Sequence, residues 1–314
     1  MKKYRPISLK SASTYAICSR KSKALITASA GIHKKGGSLH DFLGTLPDAF
    51  AVRDFRGVVR AIASAFRENR PVILGMGAHP VKVGLSPVII ELMQRGIINA
   101  IATNGACAIH DFEIALAGQT SEDVGPELCK GTFGMARETG RGLNLAIRRG
   151  VAKGQGIGRA VGECISKGKF PHKAGSIFAA AARLDIPVTV HVAIGTDIIH
   201  MHPEADGAVL GKGSMTDFRL FASVVSDLSG GVYINLGSAV ILPEVFLKAL
   251  NIARNLGNSV ENFTTVNMDF IQHYRPRENV LRRPTAASGR SYALTGHHEI
   301  MFPLLAAAVT EELA

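Results

Sequence analysis

The chain reads as an α/β protein with a mainly parallel sheet flanked by helices. Three observations predict it. Short, branched apolar runs recur, as expected for strands buried on both faces. Stretches with apolar residues at helical spacing alternate with them. The 314 residues are 46% hydrophobic, enough to bury a large core.

Taken in order, residues 1–40 form a basic arm rich in Ser and Lys. Its densest cluster is Lys2, Lys3, Arg5, Lys10, Arg20, Lys21 and Lys23, and it ends in the loop-like His33-Lys-Lys-Gly-Gly-Ser38. Residues 41–314 form the α/β domain. Phe55–Phe66 carries helical spacing, and Pro71–Gly75 is a short buried strand. Ser86–Met93 is a helix with Ser86 as N-cap and Pro87 at its first position. Ile97–Ala102 is the next strand. Ser176–Leu184 is helical and Pro187–Ala193 a strand. Asp217–Leu228 is helical and Val232–Leu236 a strand. Pro243–Leu256 is a helix closed by Gly257, and Asn262–Val266 is the last strand. Gly154-Gln-Gly156-Ile-Gly158 does not follow a strand, so it reads as a mobile loop rather than a phosphate loop.

Composition narrows the class. Lys and Arg number 36 against 25 Asp and Glu, a formal charge of +11. Trp is absent and aromatics are 6%, so stacking platforms for nucleic acid are scarce and the charge reads as a basic arm on an alkaline surface. Four cysteines without a CxxC pair exclude a disulfide scaffold and a cysteine-only zinc site. No apolar run approaches the roughly 18 residues of a membrane span. The basic start lacks the apolar core of a signal peptide. The expectation is a soluble cytoplasmic protein.

Parallel sheets bind ligands at the carboxyl ends of their strands. Here those ends are Gly75-Met-Gly77-Ala-His79, Thr103-Asn104-Gly105-Ala-Cys107, Gly195-Thr-Asp197, Gly237-Ser238 and Asn267-Met-Asp269. Gly lets a ligand approach the backbone, and following helix N-termini favour phosphate. His110-Asp111 offers an acid or base, or a helix cap. Cys107 reads as a packed thiol. Glu244 falls in a helix's first turn, and His297-His298-Glu299 is a helix start or a ligand contact. His200-Met-His202 puts two rings on one side of an extended backbone, which with a carboxylate is a metal-ligand arrangement.

The order of these segments resembles the deoxyhypusine synthase family over residues 70–310. The carriers are Gly75-Met-Gly-Ala-His-Pro-Val-Lys-Val-Gly84, Ile101-Ala-Thr-Asn-Gly-Ala-Cys-Ala-Ile-His-Asp111, Ile186-Pro-Val, Gly195-Thr-Asp197 and Asn235-Leu-Gly-Ser-Ala-Val-Ile241. Arg275-Pro-Arg-Glu278 and Met301-Phe-Pro-Leu-Leu305 complete the set. The resemblance implies a single Rossmann-like domain, a homotetramer with sites between paired subunits, and NAD as cofactor. It implies transfer of the aminobutyl group of spermidine through an imine on an enzyme lysine.

The departures bear on that chemistry. The family's lysine lies just after its Arg-Pro-x-Glu motif, whereas Glu278 is followed here by Asn-Val-Leu-Arg-Arg-Pro284. No lysine follows Lys248. Arginine stays protonated and forms no such imine. Family carboxylates fall at Ile109-His110 and at His202, and Pro243-Glu244 stands where the family has a histidine. Glu278 alone remains of the acidic set. The reading is therefore an NAD-dependent transferase or oxidoreductase acting on a small molecule other than spermidine. His110, His202, Glu244 and Glu278 are its candidate catalytic residues. Gly75, Gly77, His79, Asn104, Gly105, Asp197, Gly237, Ser238 and His297 are its candidate cofactor contacts, and no metal is expected. The alternatives are a non-catalytic binding or regulatory protein on the same fold, and a metal-dependent hydrolase built on His200 and His202.

Overall fold

A computed structural model describes residues 3–314; Met1 and Lys2, the latter part of the basic cluster, lie outside the described residues. The chain divides into two compact units between Val52 and Arg53. In the first unit every residue from Lys3 to Ser38 except Ala28 is exposed. Its first α-helix among the described residues, α1 (Leu39–Thr45), starts at a capping box: Ser38 Oγ accepts from Asp41 N at 3.1 Å, and the Asp41 carboxylate accepts from Ser38 N at 2.9 Å.

The second unit is built on β1 (Val72–Met76), β2 (Ala100–Asn104), β3 (Val188–His191), β4 (Val232–Leu236), β5 (Thr264–Asp269) and β6 (Arg290–Thr295). All six pair in parallel, in the order β3-β2-β1-β4-β5-β6. The flanking helices begin with α2 (Phe50–Arg67), α3 (His79–Lys82), α4 (Ser86–Gln94), α5 (Gly105–Ala117), α6 (Val124–Lys130) and α7 (Arg137–Ala152). They continue with α8 (Ile157–Lys167), α9 (Ile177–Leu184), α10 (Gly207–Ser226), α11 (Ile241–Asn255), α12 (Tyr274–Pro276) and α13 (His298–Leu313). Among the described residues no helix is long and apolar enough to cross a membrane.

The core sits where α10 and α11 cover the sheet. Tyr233 of β4 stacks on Phe246 of α11, ring centres 3.8 Å apart and nearly parallel, and Phe221 of α10 lies beside it. β1 and β4 are buried at every position, which explains their largely apolar sequences, Asn235 being the polar exception.

Several local expectations need correction. Leu85, not Ser86, is the N-cap of α4, and the Ser86 hydroxyl has no partner. Gly154–Gly158 is not a mobile loop: Gly156 caps α8, and a Cβ on Gly156 or Gly158 would overlap Asp217 or the Val188 carbonyl. Asn267-Met-Asp269 lies inside β5 rather than after it. β6, absent from the sequence reading, is a largely exposed edge strand paired to β5 alone.

Candidate functional site

The chain runs from β1 outward to β3, then returns to the middle and runs from β4 outward to β6. The reversal falls between β1 and β4, and in open parallel sheets that is where a crevice opens at the carboxyl ends. Here the turns after β1 and β4 are locked to their neighbours. Gly77 N donates to Leu236 O at 3.0 Å, and Gly237 N to Met268 O at 3.1 Å. Gly237 adopts φ +64°, and a Cβ on Gly77 would overlap the Gly237 carbonyl. A buried amide chain fixes the floor: Asn235 Nδ2 donates to Ser238 O (2.9 Å) and to Asn267 Oδ1 (2.7 Å), and Asn267 Nδ2 to Gln272 Oε1 (2.7 Å). Ser238 Oγ accepts from Leu242 N at 3.2 Å, anchoring the first turn of α11.

Against Gly237 lies His298, 1% exposed, with neither ring nitrogen hydrogen-bonded. Its Nε2 is 3.6 Å from Oδ1 of Asp269, the last residue of β5. Burial works against ionisation of Asp269, but the His298 ring and the Phe270 amide outweigh it and hold the carboxyl below its ordinary value. The His79 ring meets His298 edge-on at 5.3 Å. Partial burial and the neighbouring His298 hold the His79 pKa down. Phe270 is half exposed and lies nearly parallel to His297, ring centres 6.0 Å apart. Gly77, His79, Gly237, Ser238 and His297 thus gather at one place. Sequence reasoning missed Phe270 and passed over His298. The available signal was position, directly past β5 and beside a helix start.

A second group forms at the ends of β2 and β3. Asn104 Oδ1 caps α5 by accepting from Cys107 N at 3.0 Å. The Asp197 carboxylate bonds Ala106 N–H and fills the space a Cβ on Gly105 would need. Burial raises its pKa. The N-terminus of α5 therefore already holds an anion made by the chain itself. Gly75 likewise abuts the Tyr233 hydroxyl. At Gly75 and Gly105 the missing side chain makes room for protein, not for a ligand.

The remaining candidates are engaged elsewhere. His110 Nδ1 is 2.6 Å from Thr120 Oγ1, which itself donates to Glu113; Thr139 Oγ1 donates to the same carboxylate at 2.9 Å. Desolvation, reinforced by Lys82, lowers the His110 pKa against the pull of Glu113. His202 is buried against Gly140 and bonds Gly134 O through Nε2 at 2.8 Å. His200 Nδ1 accepts from Gly195 N and Asp197 N, both at 3.1 Å. The two rings do not converge, and among the described residues no three His, Cys, Asp or Glu side chains are grouped to hold a metal ion. Glu244 pairs with Lys248, with Arg275 at 3.4 Å, and with Asn279 Nδ2 at 2.8 Å. Glu278 pairs with Arg282 at 2.7 Å and Arg283 at 3.7 Å, and Arg283 reaches Asn279 Oδ1 at 2.6 Å. Glu244 and Glu278 are thus joined through Asn279 and Arg283. Asp111 caps α9 rather than its own helix, accepting from Ser176 Oγ and, at 2.7 Å, from Ile177 N. Cys107 is buried, its thiol pushed up to about 12 by desolvation.

No family model matches the chain, and no curated protein matches it by sequence. Solved structures do match in fold. The "putative deoxyhypusine synthase" of Entamoeba histolytica superposes with a TM-score of 0.51 at 12% identity, over 88% of this chain and 94% of that one. A conserved "putative LOR/SDH protein" of Methanococcus maripaludis S2 gives 0.52 at 16% identity, over 94% and 76%. AgrE, solved with ornithine and NAD+, gives 0.51 at 15% identity, over 83% and 33%. The chain spans about a third of the length of AgrE and of the cyanobacterial arginine dihydrolase ArgZ, of which it covers 34%. The fold is deoxyhypusine synthase-like.

Proposed function

We propose that the chain is an NAD-linked enzyme acting on a small molecule other than spermidine, with cofactor and substrate meeting in the crevice between β1 and β4. The observation that carries this reading is His298, a fully buried imidazole with two unpaired nitrogens, set against Asp269 at the point where the strand order reverses. The NAD+ complex of AgrE, which shares the fold, supports it. The residues present fit a dinucleotide in part. Phe270 and His297 offer near-parallel rings to a flat heterocycle. The α5 N-terminus is taken by Asp197, so the phosphates are left to the turns at Gly77 and Gly237. Bound NAD would accept or return a hydride. His298, its Nε2 turned to Asp269, would take the accompanying proton at Nδ1. Spermidine is unsuited, because Glu244 and Glu278 are neutralised by Lys248, Arg275, Arg282 and Arg283. The working form would be a cytoplasmic homotetramer.

Calorimetric titration of NAD tests this. The wild type should bind, and Phe270→Ala should bind about fivefold more weakly through lost stacking, with its melting unchanged. Absence of binding to folded wild-type protein at millimolar NAD overturns the reading. The paired state of His110, His202, Glu244 and Glu278 favours a second reading, a binding protein without catalysis. NAD binding with no turnover across amines, amino acids and alcohols would establish that one instead.

A further inference from the structure

Away from the β1–β4 crevice, a cavity of about 310 Å³ opens at the carboxyl end of β3, between the first turns of α10 and α11. That volume sits at the lower end of the range for small-molecule sites. Its walls are apolar: Val192, Leu210, Phe218, Ile241 and Val245. Ile194 and Met215 stand at its edge, 61% and 59% exposed.

Two polar side chains face this space. Ser214 is spent, since its hydroxyl accepts from Val192 N at 3.0 Å and donates to Val190 O at 3.2 Å. His191, 4% exposed, is not spent. Thr189 Oγ1 donates to Ile101 O at 3.4 Å, so it accepts from His191 Nε2–H at 3.0 Å. That fixes the tautomer and leaves the lone pair of Nδ1 without a hydrogen bond among the described residues. Phe221 braces the ring edge-on at 5.4 Å. Desolvation drives the His191 pKa down to about 4, so the imidazole is neutral at physiological pH and offers an acceptor, not a charge.

We propose that this cavity is a second ligand site, taking a small uncharged molecule with a ring-sized apolar body and one hydrogen-bond donor presented to His191 Nδ1. A charged ligand finds no counter-ion there, and a purely apolar one leaves Nδ1 unpaired, which is costly once water is displaced. Phenols and indoles have the required chemistry. The site is independent of the proposed NAD crevice, which lies at β1 and β4.

Indole is a direct probe because the chain has no Trp to mask its emission. Fluorescence titration should show indole binding and 1-methylindole, which lacks the donor, binding about tenfold more weakly. Saturating NAD should leave indole binding unchanged. Gly211 lines the cavity, and a Cβ there meets nothing within 4 Å, so Gly211→Leu adds a side chain at the cavity wall from a position with room for it. That variant should melt like wild type and lose indole. His191→Leu should bring indole and 1-methylindole to equal affinity. The proposal is overturned if indole and phenol fail to bind wild-type protein at millimolar concentration, if 1-methylindole binds as well as indole, if Gly211→Leu binds as wild type does, or if NAD competes.

Discussion

Gly237→Ala is the sharpest test of how the crevice is built. Gly237 sits at φ +64°, and a Cβ there would lie 2.5 Å from His298 Cε1. Two costs add. An alanine in the left-handed region loses about 1–2 kcal/mol. The overlap is roughly 1 Å inside an ordinary carbon–carbon contact, and the His298 ring is 1% exposed, so the ring or the β4 turn must move. Forced repacking of that kind costs about 1–3 kcal/mol. The total is about 2–5 kcal/mol. Gly257→Ala separates the two, because Gly257 also has positive φ (+88°) but an added Cβ meets nothing within 4 Å. Urea unfolding should place Gly237→Ala below Gly257→Ala by the repacking share alone. The double variant Gly237→Ala/His298→Ala should recover that share as a coupling energy. If Gly237→Ala is no less stable than Gly257→Ala, His298 does not press on the turn and the description of the crevice fails.

Other expectations follow from buried titratable groups. Asp217 bridges α8 and β3, accepting from Gly158 N at 3.0 Å and Val190 N at 2.8 Å, yet burial pushes its carboxyl up to about 7 from 3.8. The folded state then keeps a proton that the unfolded chain has released, so stability is full below the ordinary value and falls as pH rises through about 7. The loss is up to roughly 4 kcal/mol. Urea melts across that window should show it in the wild type and lose most of it in Asp217→Asn; a wild-type stability that climbs through the window contradicts the assignment. Asp111, raised to about 6 by burial, adds in the same direction. Thiol labelling should modify Cys18 and Cys129, both exposed, and leave Cys107 untouched until the chain unfolds; fast modification of Cys107 in folded protein would mean that α5 opens.

The legible parts of the fold are those whose environment is uniform. β1 and β4 are buried on both faces, so their sequences are short and mostly apolar, the length and branching that suit a buried strand. β6 is an edge strand with exposed Arg290, Ser291 and Ala293, and Leu294 is its one buried position, too little for an apolar run. The end of β5 was hidden for the opposite reason. Asn267 looks like a loop residue but is fully buried, because Asn235 and Gln272 satisfy its amide. Glycine misled most. Around Gly156 and Gly158 it imitates a flexible loop, but each glycine yields space to a carboxylate or a carbonyl. At the candidate site, the sequence singled out His79, Gly77, Gly237 and His297, which the fold brings near one another. It did not separate His297 from His298: at a helix start, one residue turns a side chain by about 100°, and only the packed structure says which ring faces inward.

The basic segment after Arg275 is electrostatically self-contained. Around Arg275–Arg283 both nearby acids have cations: Glu244 of α11 with Lys248 and Arg275, Glu278 with Arg282 and Arg283. Exposed pairs of this kind stabilise little, so the network is not explained as a device for folding. Its consequence is electrostatic. It leaves neither Glu244 nor Glu278 unpaired to attract a polyamine, and it ties the Lys248 side chain to Glu244. Imidazole nitrogens without a hydrogen bond stand instead at His298 beneath the β4 turn, and His191 engages Thr189 through Nε2 alone beyond β3. The groups left to bind or to move a proton therefore stand at the strand ends, away from the paired side chains around Arg275–Arg283.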